Sequence, residues 1–306
     1  MKKKKSFALQ LNKSKLKDKL SIFSIFVLVV LVLYCLLLLA ILLWGFISSF
    51  KDPRFDFRIN PIGFPKKWIL DNYDYAYSKF VMHAYDNNGT ESIVGMPAMF
   101  IYGFLYAIGC AFAATIVPCL TGYVTAKFNF KFSKVIFYTV IVAMIVPIVG
   151  SLPAEIAMAK SLNLYNQIWG MWILKANFLG LYFIVFYNFF KNLPNAYNEA
   201  AKIDGSSNFR TMVQVILPLA APLFATVLLI NFITFWNDYQ VPLIYLPGYP
   251  TIAAGMQHMT SSDAGELQYI PVKVAAATLM LTPILIIFLF THKKLLGNLT
   301  MGGIKG

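Results

Sequence analysis

Residues Leu20–Phe50 read LSIFSIFVLVVLVLYCLLLLAILLWGFISSF, 31 residues without a charge between Lys19 and Lys51. A helix that crosses a bilayer needs about 20 apolar residues, and this run supplies them. The apolar part of a cleaved signal peptide is only about 7–15 residues long. The run is therefore expected as an uncleaved first spanning helix behind a Lys-rich start.

The rest of the chain follows suit. Of 306 residues, 58% are hydrophobic and 13% are charged, against about 25% charged in soluble domains. That balance excludes a soluble enzyme, a disordered chain and a disulfide-stapled secreted domain. Cys35, Cys110 and Cys119 all fall in apolar stretches and read as buried small hydrophobes. Further charge-poor runs place spans at about 97–126, 135–154, 167–190 (interrupted by Lys175), between Arg210 and Asp238, and at about 274–291. Six spans put both termini on one side, in an all-α integral membrane protein.

Basic residues choose the side. The segments that share the N-terminal side carry 17 Lys and Arg, eight of them before residue 20, against the acids Asp18, Glu199 and Asp204. The opposite loops carry seven basic residues and ten acids. Lys and Arg accumulate on cytoplasmic loops, so both termini are expected inside. The net charge of +13 is accordingly read as a topological signal and a solvated tail, not a nucleic-acid site. The expected organisation is a basic tail over 1–19, one six-helix transmembrane domain over 20–292, and a cytoplasmic tail over 293–306. An outer loop over about 51–96 is expected to hold turns and short helices. The loop over about 239–270 reads as a capped, re-entrant or surface segment.

A cytoplasmic loop at about 191–212 leads into the fifth span, the whole stretch reading KNLPNAYNEAAKIDGSSNFRTMVQVILPLAAP from Lys191 to Pro222. Asn192 is a candidate N-cap, Pro194 suits a first turn, and Gly205 suits a left-handed helix end. Ser206 or Ser207 is placed to cap the next helix. The intervening helix of about ten residues carries Leu193, Ala196, Tyr197 and Ala200 at the spacing of one apolar face. Such a face either docks on a partner protein or packs on its own bundle.

These residues resemble the EAA signature of ABC importer permeases. Glu199-Ala200-Ala201, Gly205, Val215 and Leu217-Pro218 stand at the signature's spacing, with Val where Ile is usual and Asp204-Gly205-Ser206 close to its Asp-Gly-Ala variant. Leu162–Asn166 (LNLYN), Trp236-Asn237-Asp238-Tyr239 and the Gly-rich end Leu299–Gly306 are similar to the smaller permease of maltose-type carbohydrate importers. The resemblance implies a type I ABC importer permease with six transmembrane helices in a bacterial inner or plasma membrane. It implies transport of a sugar or oligosaccharide, with a non-sugar solute as the alternative. It implies partners as well: a second related permease, two nucleotide-binding ATPase subunits and an extracellular sugar-binding protein. No Gly-Lys dipeptide occurs, so a Walker A loop is absent and ATP with Mg belongs to the ATPase partner. No catalytic residue, metal ligand or bound cofactor is assigned to this chain. Glu199, Ala200, Ala201, Asp204 and Gly205 are implied as the ATPase-coupling residues, and Gly302, Gly303 and Lys305 as a further ATPase contact.

Lys175 stands apart, about eight residues into the fourth span. An intramembrane charge marks a cavity or pathway by default, and snorkelling to the outer headgroups is the competing reading. Asn231, Asn237 and Asp238 join Lys175 as candidate pathway residues. The prolines at 118, 147, 153, 218 and 222 are read first as structural irregularities and the tryptophans as interface anchors. A secondary transporter would show paired intramembrane acids or inverted repeats, and an embedded enzyme a cytoplasmic acid cluster. Neither pattern is present in the sequence.

Overall fold

A computed structural model describes residues 21–128, 130–146, 150–261 and 268–299, with only the backbone described over 291–299. Four helical segments are long and apolar enough to cross a membrane: Ile22–Ser48, Met96–Lys127, Asn208–Trp236 and Ile270–Phe290. The first is apolar on every face and exposed along most of its length, as suits a lipid-facing helix. Cys35 lies on it and is exposed, so the expectation of three buried cysteines holds only for Cys110 and Cys119.

The expected third and fourth spans are not continuous helices. The third divides into Ser133–Ile145 and Leu152–Ser161, with Gly150 at φ +79° between them. Thirteen residues rise only about 20 Å, short of a 30 Å hydrocarbon core. The fourth divides into Ile168–Leu174 and Leu181–Asn192, with Lys175 ending the first piece. Irregular backbone at membrane depth is tolerated where protein buries it or where it lines a cavity.

Met96–Lys127 is the central element. Pro97 occupies its first turn, where a missing N–H costs nothing. Its buried positions include Met99, Gly103, Tyr106, Cys110, Ala111, Cys119 and Gly122. Small residues on that stripe admit neighbouring backbones. A Cβ on Gly122 would sit 3.0 Å from the Tyr187 nitrogen. Leu181–Asn192 lies there, and Asn208–Trp236 runs along the same helix.

The loop after the first helix, expected outside, folds into short helices, Asp56–Ile59 and Asp71–Lys79, and a hairpin that the sequence reading missed. Val81–Tyr85 pairs antiparallel with Glu91–Gly95, Tyr85 opposite Glu91. Met82 and Ala84 point inward while Val81, His83 and Tyr85 are exposed. Asp86 holds the turn, accepting from the Asn88 and Thr90 amides at 2.8 and 2.7 Å, and Gly89 takes φ +81°. The junction below it is knotted around Lys51. That side chain is fully buried and donates to the carbonyls of Asn60 and Pro61 at 2.7 and 3.1 Å. Burial holds its ammonium below the usual lysine range, with Asp56 opposing the shift.

Near the hairpin, Ile252–Ser261 packs into the bundle with Ile252, Ala254 and Met259 buried, so the 239–270 loop is partly an internal element. Tyr106, Cys110, Met171, Tyr245 and Leu246 form a second cluster. The opposite end is closed by Cys119, Tyr123, Phe186, Phe190, Ile216 and Val227.

Candidate functional site

The loop between the fourth and fifth apolar segments carries a helix at Ala196–Ile203. It starts later than expected, behind Asn195 and not Asn192, because Leu193 runs extended and closes the preceding helix. Leu193 packs on the buried cluster at this end of the bundle and is not part of the helix face. Ala196, Tyr197, Glu199 and Ala200 are exposed, while Ala201 is buried against the bundle.

The helix ends in a Schellman arrangement. Ser206 N–H donates to Ala201 O at 2.9 Å and Gly205 N–H to Lys202 O at 3.0 Å, with Gly205 at φ +73°. Ser207 then caps the next turn, its hydroxyl accepting from Arg210 N at 3.3 Å. Asn208–Thr211 passes into a π-helical stretch, Met212–Ile216, and then into Leu217–Trp236. Pro218 cannot donate to a carbonyl one turn back, which favours the widened turn preceding it.

Three residues at or against this loop escaped the sequence reading. Ile203 and Phe209 are 86% and 72% exposed and extend the apolar surface beyond Tyr197. Their only sequence signal is apolar character inside an otherwise polar loop. Lys127, at the end of the central helix, donates to Leu193 O at 2.5 Å and Asn195 Oδ1 at 2.8 Å, fixing the loop's entry. Gly302, Gly303 and Lys305 lie outside the described residues.

The pathway candidates separate into two groups. Lys175 and Asn231 line one cavity of about 170 Å3, with Asn177, Phe178, Tyr182 and Phe235 among its walls. Asn237 and Asp238 do not line it. Asn237 Nδ2 donates to Ile233 O at 2.8 Å, on its own helix. Asp238 accepts from the Tyr106 hydroxyl at 2.8 Å and the Val241 amide at 3.2 Å, binding the end of the fifth apolar segment to the central helix. In the Leu162–Asn166 stretch, Asn166 ties three connecting segments together. Its Nδ2 donates to Tyr85 O and Asn87 Oδ1, and its Oδ1 accepts from Gly248 N at 2.7 Å. Among the described residues, no three His, Cys, Asp or Glu are grouped to hold a metal.

Residues 119–296 match the family described as binding-protein-dependent transport system inner membrane component. The chain belongs to that family. This permease is 25% identical over 265 residues to the diacetylchitobiose uptake permease NgcG of Streptomyces coelicolor, covering 85% of this chain and 82% of that one. It is 28% identical over 221 residues to the maltodextrin permease MalD of Streptococcus pneumoniae, covering 71% and 77% respectively. It is 26% identical over 269 residues to the sulfoquinovosyl glycerol permease SmoH of Agrobacterium fabrum, covering 86% and 88%. Its fold is that of a chain in the crystal structure of a bacterial ABC transporter that imports alginate, with a TM-score of 0.72 over 89% of this permease and 96% of that chain at 20% identity. It is a multi-pass membrane protein, and its EAA-like stretch falls inside the matched residues, while the first apolar helix and most of the central helix precede them.

Proposed function

We propose that this permease is one of two related permease subunits in an ATP-driven, binding-protein-dependent importer of a saccharide. The observation that carries the reading is the Ala196–Ile203 helix. It presents Tyr197, Ala200 and Ile203 outward, ends at a left-handed glycine, and feeds directly into a long apolar helix. A socket on a nucleotide-binding subunit can grip such a helix and transmit its motion to the bundle. ATP and Mg reside on that subunit, and this chain performs no chemistry. Six crossings are assigned, two of them by broken helices, with both termini and the 191–212 loop on the cytoplasmic side of a bacterial inner membrane. Closure of two ATPase subunits rocks the bundle from inward-facing to outward-facing, and an extracellular binding protein delivers the sugar. Gly302, Gly303 and Lys305 add a contact to the ATPase dimer. The relatives named above for diacetylchitobiose and maltodextrin support the saccharide.

The test is uptake and ATP hydrolysis in proteoliposomes holding both permeases, the ATPase and the binding protein. Uptake of at least one saccharide, strictly dependent on ATP and on this chain, is expected. ATP-independent uptake would overturn the reading.

A further inference from the structure

The break in the Ile168–Asn192 region opens onto a cavity at membrane depth. Ala114 shares its wall with Lys175 and Asn231. Ala114 precedes Lys127 by 13 residues of continuous helix, or about 20 Å at 1.5 Å per residue. That places the cavity inside a hydrocarbon layer about 30 Å thick. At about 170 Å3 it is smaller than the roughly 300–1,000 Å3 of sites that enclose a drug-sized ligand. It suits one sugar unit of a longer or shorter chain.

Its electrostatics are one-sided. Among the described residues, no acidic side chain lines the cavity. The Lys175 ammonium makes no hydrogen bond or ion pair among the described residues, and Asp238 is already engaged by Tyr106 and Val241. The 12-residue helix Leu181–Asn192 begins at Gly180 without a side-chain cap and without an acid in its first turn. Gly180, Tyr182 and Phe183 are cavity-lining residues, so the positive end of that helix adds to the ammonium's field. Asn231 is 5% exposed and spends its Nδ2 on Thr115 Oγ1 at 3.0 Å. Its amide oxygen has no hydrogen bond among the described residues, an unmet acceptor in a cavity wall. It is not among the sealed, unpartnered side-chain atoms, so it stays open to a hydroxyl donor within the cavity.

We propose that this cavity is a subsite for an anionic saccharide. Lys175 pairs with the acid group, Asn231 accepts from a ring hydroxyl, and Phe178, Tyr182 and Phe235 border the sugar's apolar face. The inference rests on the saccharide-importer reading and narrows it by charge.

The complete transporter in proteoliposomes tests this with two sets of probes. The neutral set is maltotriose, raffinose and diacetylchitobiose. The anionic set is digalacturonate, trigalacturonate and sulfoquinovosyl glycerol. An anionic probe should stimulate ATP hydrolysis and uptake at least tenfold more than any neutral one. Lys175→Met should cut that uptake at least tenfold with complex yield unchanged, and Lys175→Arg should restore it to within about threefold. If Lys175→Met does not assemble, Asn177→Asp on the exposed wall replaces it and should depress anionic uptake selectively. Stimulation by neutral probes alone would overturn the proposal while sparing the saccharide reading. So would wild-type anionic uptake in the variants, which would leave Lys175 a snorkelling residue. Stimulation by none of the six would overturn the anionic subsite, and ATP-independent uptake would overturn the saccharide-importer reading with it.

Discussion

Lys127 donates to the carbonyl oxygen of Leu193 at 2.5 Å, joining the last residue of the central helix to the first extended residue of the exposed loop. A charged donor to a backbone carbonyl contributes on the order of 1–2 kcal/mol when partly shielded from water. Replacing Lys127 with Met should therefore free the entry of the Ala196–Ile203 helix without preventing insertion. We expect faster hydrogen exchange over residues 193–203 and a several-fold loss of transport per ATP hydrolysed. Unchanged exchange there would show that the loop holds itself.

Gly205 and Ala200 separate two failures of the same loop. Positive φ at Gly205 is strained for a β-branched side chain, so Gly205→Val should redirect the chain entering the fifth segment. Ala200→Asp leaves that turn intact and places a charge on the exposed face. The Asp variant should lose co-purification with the ATPase, or keep it while losing transport. Both proteins should still insert. Wild-type import by both, with full ATPase complement, would remove this loop as the coupling element.

Asn166 offers a stability test. It is 3% exposed and serves Tyr85, Asn87 and Gly248 at once. Asn166→Ala leaves the Gly248 amide without its acceptor, at a cost of about 1–3 kcal/mol. Thermal unfolding of the purified complex should shift down by several degrees, with cleavage by added protease concentrated near the 85–91 hairpin. An unchanged melting temperature would show that neighbouring groups replace it.

Acid should open that hairpin turn selectively. Hydrogen bonds from Thr90 and Asn88 hold the Asp86 carboxyl below the usual carboxylate range, against a smaller opposing effect of burial. The folded value lies below the unfolded one, so this stabilisation is complete above the ordinary carboxylate range. It is lost as pH falls through the depressed value. Exchange at residues 88–90, corrected for intrinsic rates, should accelerate in that window and lose its pH step in Asp86→Asn. A step retained in that variant would assign the effect to another group.

Sidedness is checked by single cysteines in a background lacking Cys35, Cys110 and Cys119. A cysteine at Asp71 should react with an impermeant reagent on intact cells, and one at Asn208 only after permeabilisation. Outside labelling at Asn208 would invert the arrangement.

The sequence made the apolar bundle readable because long charge-free runs report lipid exposure directly. Continuity was not readable in the same way. Val135–Ala154 is free of charge throughout, yet the helix stops at Ile145, since hydropathy says nothing of where backbone hydrogen bonds cease. The hairpin had a sequence signal that went unused, the Asn88-Gly89 pair a few residues after VMHAY, although VMHAY itself shows no polar–apolar alternation. Gly205 and Ser207 were legible because a helix stop and a helix cap are local chemistry. The reach of Lys127 to Leu193 and of Tyr106 to Asp238 spans 66 and 132 residues of sequence, which no local rule connects. Lys175 was visible as an anomaly, but only the fold pairs it with Asn231 across the cavity.

The π-helical stretch Met212–Ile216 sets an angular phase between the two ends of its helix. Each added residue turns everything beyond it by about 100° around an α-helical axis. Ile203 and Phe209 lie on one side of that insertion, and Asn231 on the other. Deleting a single residue from 212–216 would keep the segment's hydrophobicity and nearly its length. It would still rotate the exposed loop away from its present bearing relative to the cavity wall, like a key cut correctly but turned in its shaft.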